Sequence, residues 1–323
     1  MTPELAKQLL FGMMRIRAVE EGIASRYSEN EMRCPTHLSI GQEGIAGLGA
    51  ALKREDYAVS GHRAHAHYLA KGGDLRAMLA EIYGKAAGCA GGKGGSMHLV
   101  DESAGFMGST AIVGGTIPVG TGLGYAAKRE GKGRISCIFI GDAAVETGVF
   151  FESANFAVTK KLPVLFACEN NLYSVYSPLS VRQPPGRKIF EMAKAIGMES
   201  ASIDGNDVEA VYETAKGFAS MLRAGSGPLF LEMSTYRWRE HCGPNYDNDI
   251  GYRTEAEFEE WKKKDPIPRF RKKALEAKWL SEAEIVAMES EIKKEVDAAF
   301  AYAKSTPFPA ASEAGTHIYA GAN

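Results

Sequence analysis

The stretch ISCIFIGDAAVETGVFFESANFAVTKKLPVLFACENN, residues 135–171, decides the fold class of this chain. Its two apolar segments, ISCIFI at 135–140 and PVLFAC at 163–168, show no polar alternation, which is typical of strands buried on both faces of a parallel sheet. Residues 145–160 between them carry apolar side chains at helical spacing. The stretch therefore predicts a β-α-β unit with a right-handed crossover, and hence an α/β fold.

The rest of the chain extends this unit in both directions. Helical spacing recurs over 4–28, 42–52, 75–83 and 208–222, a short strand is expected at 56–60, and PLFLEM at 228–233 predicts a third buried strand. We expect one domain over residues 1–323, with a mostly parallel central sheet and helices on both faces. It would carry an N-terminal helical arm and a C-terminal helical extension over about 254–323. The glycine-rich stretch 84–124 is expected to be functional backbone rather than a linker.

Composition excludes several classes of partner. The 323 residues include 38 Lys and Arg and 40 Asp and Glu, a net charge of −2, which gives no electrostatic drive toward nucleic acid or an anionic membrane. The apolar runs are far shorter than a membrane span, and the N-terminus lacks a signal-peptide pattern. Five cysteines without a C-x-x-C pair indicate reduced thiols, so we expect a cytoplasmic protein.

Oxygen-bearing side chains follow both strands of the β-α-β unit. Asp142 follows the first strand and Asn171 follows the second, so both are expected at the sheet edge where ligands of α/β proteins bind. Mg²⁺ prefers such oxygen ligands, usually completed by phosphates and water. Alone, Asp142 would be a helix cap and Asn171 a turn residue. As a pair one β-α-β unit apart, they favour a magnesium site shared with a phosphorylated ligand.

Three other interpretations are weaker. Residues 90–96 miss the P-loop pattern, because Ala87 stands where its first glycine belongs and residue 94 is not Ser or Thr. Residues 120–124 miss the dinucleotide-binding pattern, because Tyr125 stands where its third glycine belongs. His62, His65 and His67 have a possible zinc-ligand spacing, but no Cys or acidic residue lies near them in the sequence.

Several motifs together resemble one enzyme family. They are HLSIGQEG (37–44), RAH (63–65), GGKGGSMH (91–98), IVGGTIPVG (112–120), KLPVLFACENNLY (161–173) and PLFLEMSTYRWREH (228–241). Over nearly the whole chain they resemble the α subunit of the decarboxylating component of 2-oxo acid dehydrogenase complexes, of the pyruvate and acetoin types. GD at 141–142 followed by NN at 170–171 is similar to the thiamine diphosphate fingerprint. The resemblance implies a thiamine diphosphate-binding fold, with thiamine diphosphate and Mg²⁺ as cofactors.

Position by position, the resemblance implies a cofactor site. The metal ligands would be the side chains of Asp142 and Asn171 and the backbone carbonyl of Tyr173. Arg63 would clamp the diphosphate, and Val113 would lie against the cofactor. The full set of implied cofactor-binding residues is His62, Arg63, Val113, Asp142, Ala143, Ala144, Asn171 and Tyr173. The backbone at 143–144 would face the diphosphate from the start of the next helix.

The resemblance also implies the reaction and the partners. His37 and His241 would line the reaction side and shuttle protons near neutral pH, with His65 as a third catalytic residue. The reaction would be oxidative decarboxylation of a pyruvate-like 2-oxo acid, or cleavage of acetoin, with acyl transfer to lipoamide. A separate β subunit would supply the activating Glu in an α2β2 heterotetramer, and a lipoyl acyltransferase is a further possible partner.

The chain departs from the family pattern at three places. Ala143 stands where the family usually has Gly, which is tolerated if the backbone φ there is negative. His62 stands where pyruvate-type enzymes have Tyr, which weakens the assignment of the substrate. Residues 242–247, CGPNYD, lack the serine-bearing regulatory loop of the mitochondrial enzyme. Two alternatives stay open: half of a transketolase-like or other carboligating enzyme, and a non-catalytic phosphate-binding scaffold.

Overall fold

Parallel strands form the central sheet of the computed structural model, which describes residues 1–32 and 34–318. They are β1 (Tyr57–Ser60), β2 (Phe106–Ser109), β3 (Ser136–Gly141), β4 (Val164–Asn170), β7 (Glu199–Asp204) and β8 (Leu229–Ser234). Their order is β2-β1-β3-β4-β8-β7, and every pairing is parallel. A separate antiparallel hairpin joins β5 (Tyr173–Ser174) to β6 (Ser177–Pro178). The predicted α/β fold is confirmed.

Helices cover the sheet and extend beyond it. They are α1 (Pro3–Arg26), α2 (Ala46–Ala51), α3 (His65–Ala70), α4 (Leu75–Ile82), α5 (Thr116–Glu130), α6 (Gly148–Lys160), α7 (Leu179–Arg182), α8 (Ile189–Ile196), α9 (Val208–Arg223), α10 (Glu255–Lys262), α11 (Pro266–Glu276) and α12 (Glu282–Ser305). Within the described ranges, none of these helices has the length and apolarity that crossing a bilayer requires.

The predicted strands are the most deeply buried ones. All of β4 is buried, and β3 is buried up to its last residue, as their continuous apolar sequence requires. The edge strands β2 and β7 were not predicted, because FMGS is short and contains glycine and ESASID is polar and mostly half-exposed. Their pairing partners, β1 and β8, supply the hydrogen bonds that make these segments strands.

The order of the strands creates a crevice at one edge of the sheet. From β1 the chain passes to β2 on one side, and it then returns to place β3 on the other side of β1. Connections that leave neighbouring strands in opposite directions open a space at the strands' carboxyl ends, where α/β proteins bind ligands. This switch point lies between β1 and β3.

Part of the glycine-rich stretch 84–124 belongs to the helix α5, which packs closely on the sheet, and a functional role for the rest of the stretch stays a prediction. A Cβ added at Gly120 of α5 would lie 2.5 Å from the side chain of Ile138 in β3. One added at Gly124 would lie 2.3 Å from the side chain of Val164 in β4. These glycines therefore serve packing, because they let the α5 backbone lie directly on the sheet.

The two ends of the described chain pack on each other. α1 buries Leu9, Met13 and Ile16 within the main core, to which residues of α12 also belong. Arg15 of α1 donates two hydrogen bonds, of 2.7 and 2.9 Å, to Glu295 of α12. The helix expected over 42–52 begins as a 3-10 turn, Glu43–Ile45, before α2.

Candidate active site

A cavity of about 140 Å³ lies at the switch point, between the carboxyl ends of β1 and β3. Most residues that the resemblance implied are found in its lining: His62, Arg63, Val113, Asp142, Ala143, Ala144, Asn171, Tyr173 and His241. The lining also contains Gln42, Ser60, His67 and Glu169, which the sequence had not assigned to the site. The fold therefore gathers segments that are up to 199 residues apart, from 42 to 241.

Strand register places the two proposed metal ligands. Gly141 at the end of β3 pairs with Glu169 in β4, so Asp142 and Asn171 both follow this paired edge. Asp142 is only 2% exposed and Asn171 only 8% exposed. Ala143 has φ −75° and ψ −22°, which is right-handed helical backbone that any residue adopts. The negative φ that would let Ala be tolerated here is present, and its tolerance beside a bound diphosphate stays a prediction.

A positive charge lies against Asp142. The guanidinium of Arg182, from α7, donates to Asp142 through one nitrogen and to Glu146 through the other. Burial raises the pKa of Asp142 above its usual value, and Arg182 acts in the opposite direction. Asp142 is therefore paired with a cationic side chain at the edge of the cavity, and no sequence motif had pointed to Arg182.

A chain of buried hydrogen bonds orients Asn171. Its amide nitrogen donates to Gln42 Oε1 at 3.1 Å, and Gln42 Nε2 donates to Glu169 Oε1 at 3.2 Å. The other oxygen of Glu169 lies 2.6 Å from His67 Nε2, and His67 Nδ1 lies 2.7 Å from Ser60 Oγ. The amide of Asn171 is thereby held with its oxygen accepting from the backbone N–H of Tyr173 at 3.3 Å.

Three imidazole rings form one cluster beside the cavity. His37, His62 and His241 have centroid separations of 4.6, 4.9 and 5.3 Å, and all three pairs meet edge to face. Burial and then the charge of Arg63 lower the pKa of His37 to about 2, of His62 to about 4 and of His241 to about 3. Both imidazoles are therefore uncharged at pH 7 in the chain without cofactor, and the role of His37 and His241 as proton shuttles stays a prediction.

Arg63 joins the histidine cluster to the cavity. Its guanidinium donates to the carbonyl of Leu38 at 2.5 Å and to that of His241 at 3.1 Å. Burial lowers the pKa of Arg63 to about 10, so it stays positively charged at neutral pH. Val113, also in the lining, is 50% exposed and offers an apolar surface to the cavity.

His65 does not lie in the cavity lining, in contrast to what the resemblance implied. It is fully buried, with Nδ1 2.8 Å from Glu20 of α1 and Nε2 2.8 Å from Ser96 Oγ. Both ring nitrogens are thus engaged in holding α3 against α1 and the glycine-rich loop. The zinc interpretation of His62, His65 and His67 fails as well, because His65 and His67 each use both nitrogens elsewhere.

The loop GGKGG, residues 91–95, encloses a carboxylate of the protein itself. Glu81 of α4 is fully buried, and its Oε2 accepts from the N–H groups of Ala90 and Gly92, both at 2.8 Å. Its Oε1 accepts from Gly94 at 2.7 Å and from Gly95 at 3.0 Å. The glycines that superficially suggested a phosphate loop therefore satisfy an internal anion.

Comparison with known proteins agrees with this geometry. Residues 11–312 match the family described as "Dehydrogenase E1 component". The protein named "Pyruvate dehydrogenase E1 component subunit alpha" of Rickettsia bellii is 37% identical over 308 residues, 95% of this chain and 93% of the relative. Its namesake in Zymomonas mobilis is 36% identical, over 96% of this chain and 87% of the relative. The mitochondrial pyruvate dehydrogenase E1 subunit alpha-1 of Oryza sativa is 38% identical, over 95% of this chain and 78% of the relative.

The family is shown by how much of the chain these matches cover and by the sequence identity of the relatives. The match to the family covers nearly all of the chain, including every strand of the sheet and every residue of the cavity lining. Membership of this family implies thiamine diphosphate as the cofactor, in agreement with oxygen ligands and an arginine at the switch point. The chain belongs to the dehydrogenase E1 component family of oxidoreductases.

Proposed function

We propose that this chain is the α subunit of a thiamine diphosphate- and Mg²⁺-dependent dehydrogenase E1 component that oxidatively decarboxylates a 2-oxo acid. One observation carries the proposal: Asp142 and Asn171 follow adjacent strands at the switch point, and Arg63 lines the same cavity. Pyruvate is the first candidate substrate, because the relatives carry it in their names.

The donor set fits Mg²⁺. Asp142 offers a buried carboxylate, and the Asn171 oxygen is presented by a fixed amide. The site already holds the positive charge of Arg182, which a divalent cation would have to displace from Asp142. In the proposed site, the backbone carbonyl of Tyr173 is a third protein ligand, and phosphate oxygens and water complete the coordination.

The same cavity fits a diphosphate. Arg63 supplies a fixed positive charge, and Ala143 and Ala144 line the cavity at the start of the turn that leads into α6. The first N–H groups of a helical segment are donors suited to an anion. The exposed side chain of Val113 supplies an apolar contact for the remainder of the cofactor. His62 lines the cavity at the position next to Arg63.

The chain's own residues would orient the substrate and handle its protons. When bound, thiamine diphosphate supplies a nucleophilic carbon and an electron sink for decarboxylation. A neutral imidazole has one N–H donor and one acceptor, so His37 and His241 can each donate to a substrate oxygen or take a proton. The negative charge of the diphosphate beside Arg63 would raise their pKa values toward neutral.

A second subunit completes the proposed enzyme. We place the acid that activates the aminopyrimidine on a β subunit, in an α2β2 assembly that also serves a lipoyl acyltransferase. Apolar side chains exposed on α5 and α6 support such an interface; they are Val119, Tyr125, Phe151 and Phe156. Contiguous exposed apolar surface of this kind is typical of protein interfaces, and Tyr125 and Phe156 lie next to each other, 6.2 Å between ring centroids.

The test uses this chain co-purified with a β-type E1 subunit from the same organism. With thiamine diphosphate and Mg²⁺, we expect 2-oxo acid-dependent CO₂ release and transfer of the acyl group to lipoamide. Parallel assays offer acetoin, and pairs of carbonyl compounds without lipoamide. Acetoin cleavage would change the substrate only, whereas carboligation without an acceptor would replace the proposed reaction. A complex that binds the cofactor but consumes no substrate would favour the scaffold alternative.

A further inference from the structure

Three separate segments bring the histidine cluster together. His37 precedes the GQEG turn, His62 follows β1, and His241 lies in the segment after β8. One ring nitrogen from each can be chosen so that all three lie within 4.8 Å of one another. Among the described residues, this is the group of three or more His, Cys, Asp or Glu side chains whose metal-ligating atoms lie this close together.

Among the described residues, no hydrogen bond occupies the imidazole nitrogens of this cluster. His37 is 6% exposed, and its Nδ1 is buried without a hydrogen-bond partner among the described residues. His65 and His67, in contrast, are each paired with a carboxylate. A buried polar atom without a partner costs free energy, so a ligand that takes its lone pair would stabilise the arrangement.

We propose that His37, His62 and His241 form a binding site for one divalent transition-metal ion of the Zn²⁺ class, separate from the magnesium site. Three imidazoles with an open fourth position are a known coordination set for zinc. Nitrogen ligands suit Zn²⁺, Cu²⁺ and Co²⁺, whereas Mg²⁺ prefers oxygen. The cluster and Asp142 therefore select different ions.

Small ring movements would close the cluster around an ion. Zn–N bonds of about 2.0–2.1 Å place the nitrogens of a tetrahedral site about 3.3 Å apart, compared with the present limit of 4.8 Å. Rotation of the side chains of His62 and His241, which are not fully buried, would supply the difference. The lowered pKa values mean that protons do not compete for these nitrogens at pH 7.

Arg63 limits the affinity but does not occupy the site. Its positive charge lies near all three rings and opposes a second cation. Its guanidinium donates to two backbone carbonyls, those of Leu38 and His241, and none of these bonds uses an imidazole nitrogen. If the proposed function holds, an ion bound here would also cover the reaction side of the cavity and inhibit turnover.

The test measures metal binding to the full chain, stripped of metal and without cofactor, so it does not depend on the proposed function. Co²⁺ titration should give one equivalent with the intense visible bands of four- or five-coordinate cobalt. Zn²⁺ should displace it, and excess Mg²⁺ should not. No binding, or the weak spectrum of octahedral cobalt, would overturn the proposal.

Variants locate the ion. His62→Asn should weaken Co²⁺ and Zn²⁺ binding by at least about tenfold, since even second-shell ligand changes cost about 10–100-fold. His241→Asn is a second ligand variant, and circular dichroism checks that both fold. His98→Asn and Cys242→Ser are controls, because His98 and the Cys242 thiol are exposed and lie outside the cluster. Binding that survives both ligand variants, or that is lost in Cys242→Ser, would place the ion elsewhere and overturn the assignment.

Discussion

At the scale of single residues, Asp142 has the most specific assignment. It is nearly fully buried, follows β3 at the switch point, and is balanced by Arg182. A carboxylate in such a place holds a cation only while it is charged, and Arg182 partly offsets the desolvation that raises the pKa of Asp142. The side chain is therefore expected to contribute to cofactor binding more than to the fold.

We predict that Asp142→Ala abolishes Mg²⁺-dependent binding of thiamine diphosphate while the chain still folds. Removing this ligand leaves the diphosphate charge uncompensated at a half-enclosed site. Calorimetry on the complex with the β subunit measures the loss, and circular dichroism checks the fold. Glu152→Ala, on the exposed face of α6, is a matched control that should bind normally. Unchanged affinity in Asp142→Ala would remove the metal assignment.

His241 has a different expected signature, because it lies in the imidazole cluster and not among the oxygen ligands. We predict that His241→Ala lowers kcat by about 10²–10⁴, the range for a lost acid–base group, and leaves cofactor affinity nearly unchanged. The effect should appear in kcat, since the interaction acts mainly in the transition state. Steady-state kinetics of the complex measures it. A wild-type kcat would show that His241 does not take part in the reaction.

At the scale of elements, the glycine-rich loop shows how one side chain organises a segment. Glu81 reaches out of α4 and accepts four backbone N–H groups, from Ala90, Gly92, Gly94 and Gly95. Gly92 has φ +77° and Gly95 has φ +63°, conformations that other residues rarely adopt. Glycine is thus required here for backbone geometry around a buried carboxylate.

We predict that Glu81→Gln destabilises the chain. The amide keeps one acceptor oxygen and turns an NH₂ toward the other N–H groups, so at least one pair of these part-buried donors loses its partner. Each unsatisfied buried donor costs about 1–3 kcal/mol, so the free energy of unfolding should fall by at least about 2 kcal/mol. Urea unfolding followed by circular dichroism measures the change, with exposed Glu102→Gln as the control. Equal midpoints for the two variants would contradict the role of Glu81.

At the scale of the whole molecule, the proposed active site is half of a shared one. Thr116 of α5 lines the cavity, and α5 and α6 carry exposed apolar side chains that include Val119 and Phe156. Nothing in the proposed mechanism assigns the acid that activates the cofactor to this chain. Assembly is therefore expected to control activity and not only stability.

We predict that the purified chain alone has no measurable turnover and that adding the β subunit restores it. The physical reason is that, in the proposed enzyme, the chain holds the diphosphate and metal, whereas the carboxylic acid that activates the cofactor comes from the partner. Titrating β subunit into a fixed amount of chain should give activity that saturates at one β per α. Full activity of the chain alone would place the activating acid within this sequence.

The sequence alone was sufficient to predict the fold class, the buried central strands and the position of Asp142 and Asn171 at one edge of the sheet. These follow from local patterns, because continuous apolar runs predict buried strands and parallel strands end at a common edge. The edge strands β2 and β7 escaped prediction, because their residues carry little apolar signal and are strands only through their neighbours. The family, predicted from motifs in their order, was confirmed.

Only the tertiary structure decided which histidines form a cluster. His62, His65 and His67 alternate closely in sequence, yet His62 meets His37 and His241, whereas His65 turns to Glu20 and His67 to Glu169. The partners lie 45 and 102 residues from His65 and His67, beyond the reach of any local pattern. The same holds for Arg182 against Asp142, 40 residues apart. Sequence sets the local backbone, whereas burial and pairing of polar side chains depend on which elements pack together, and that packing determined the chemistry at this site.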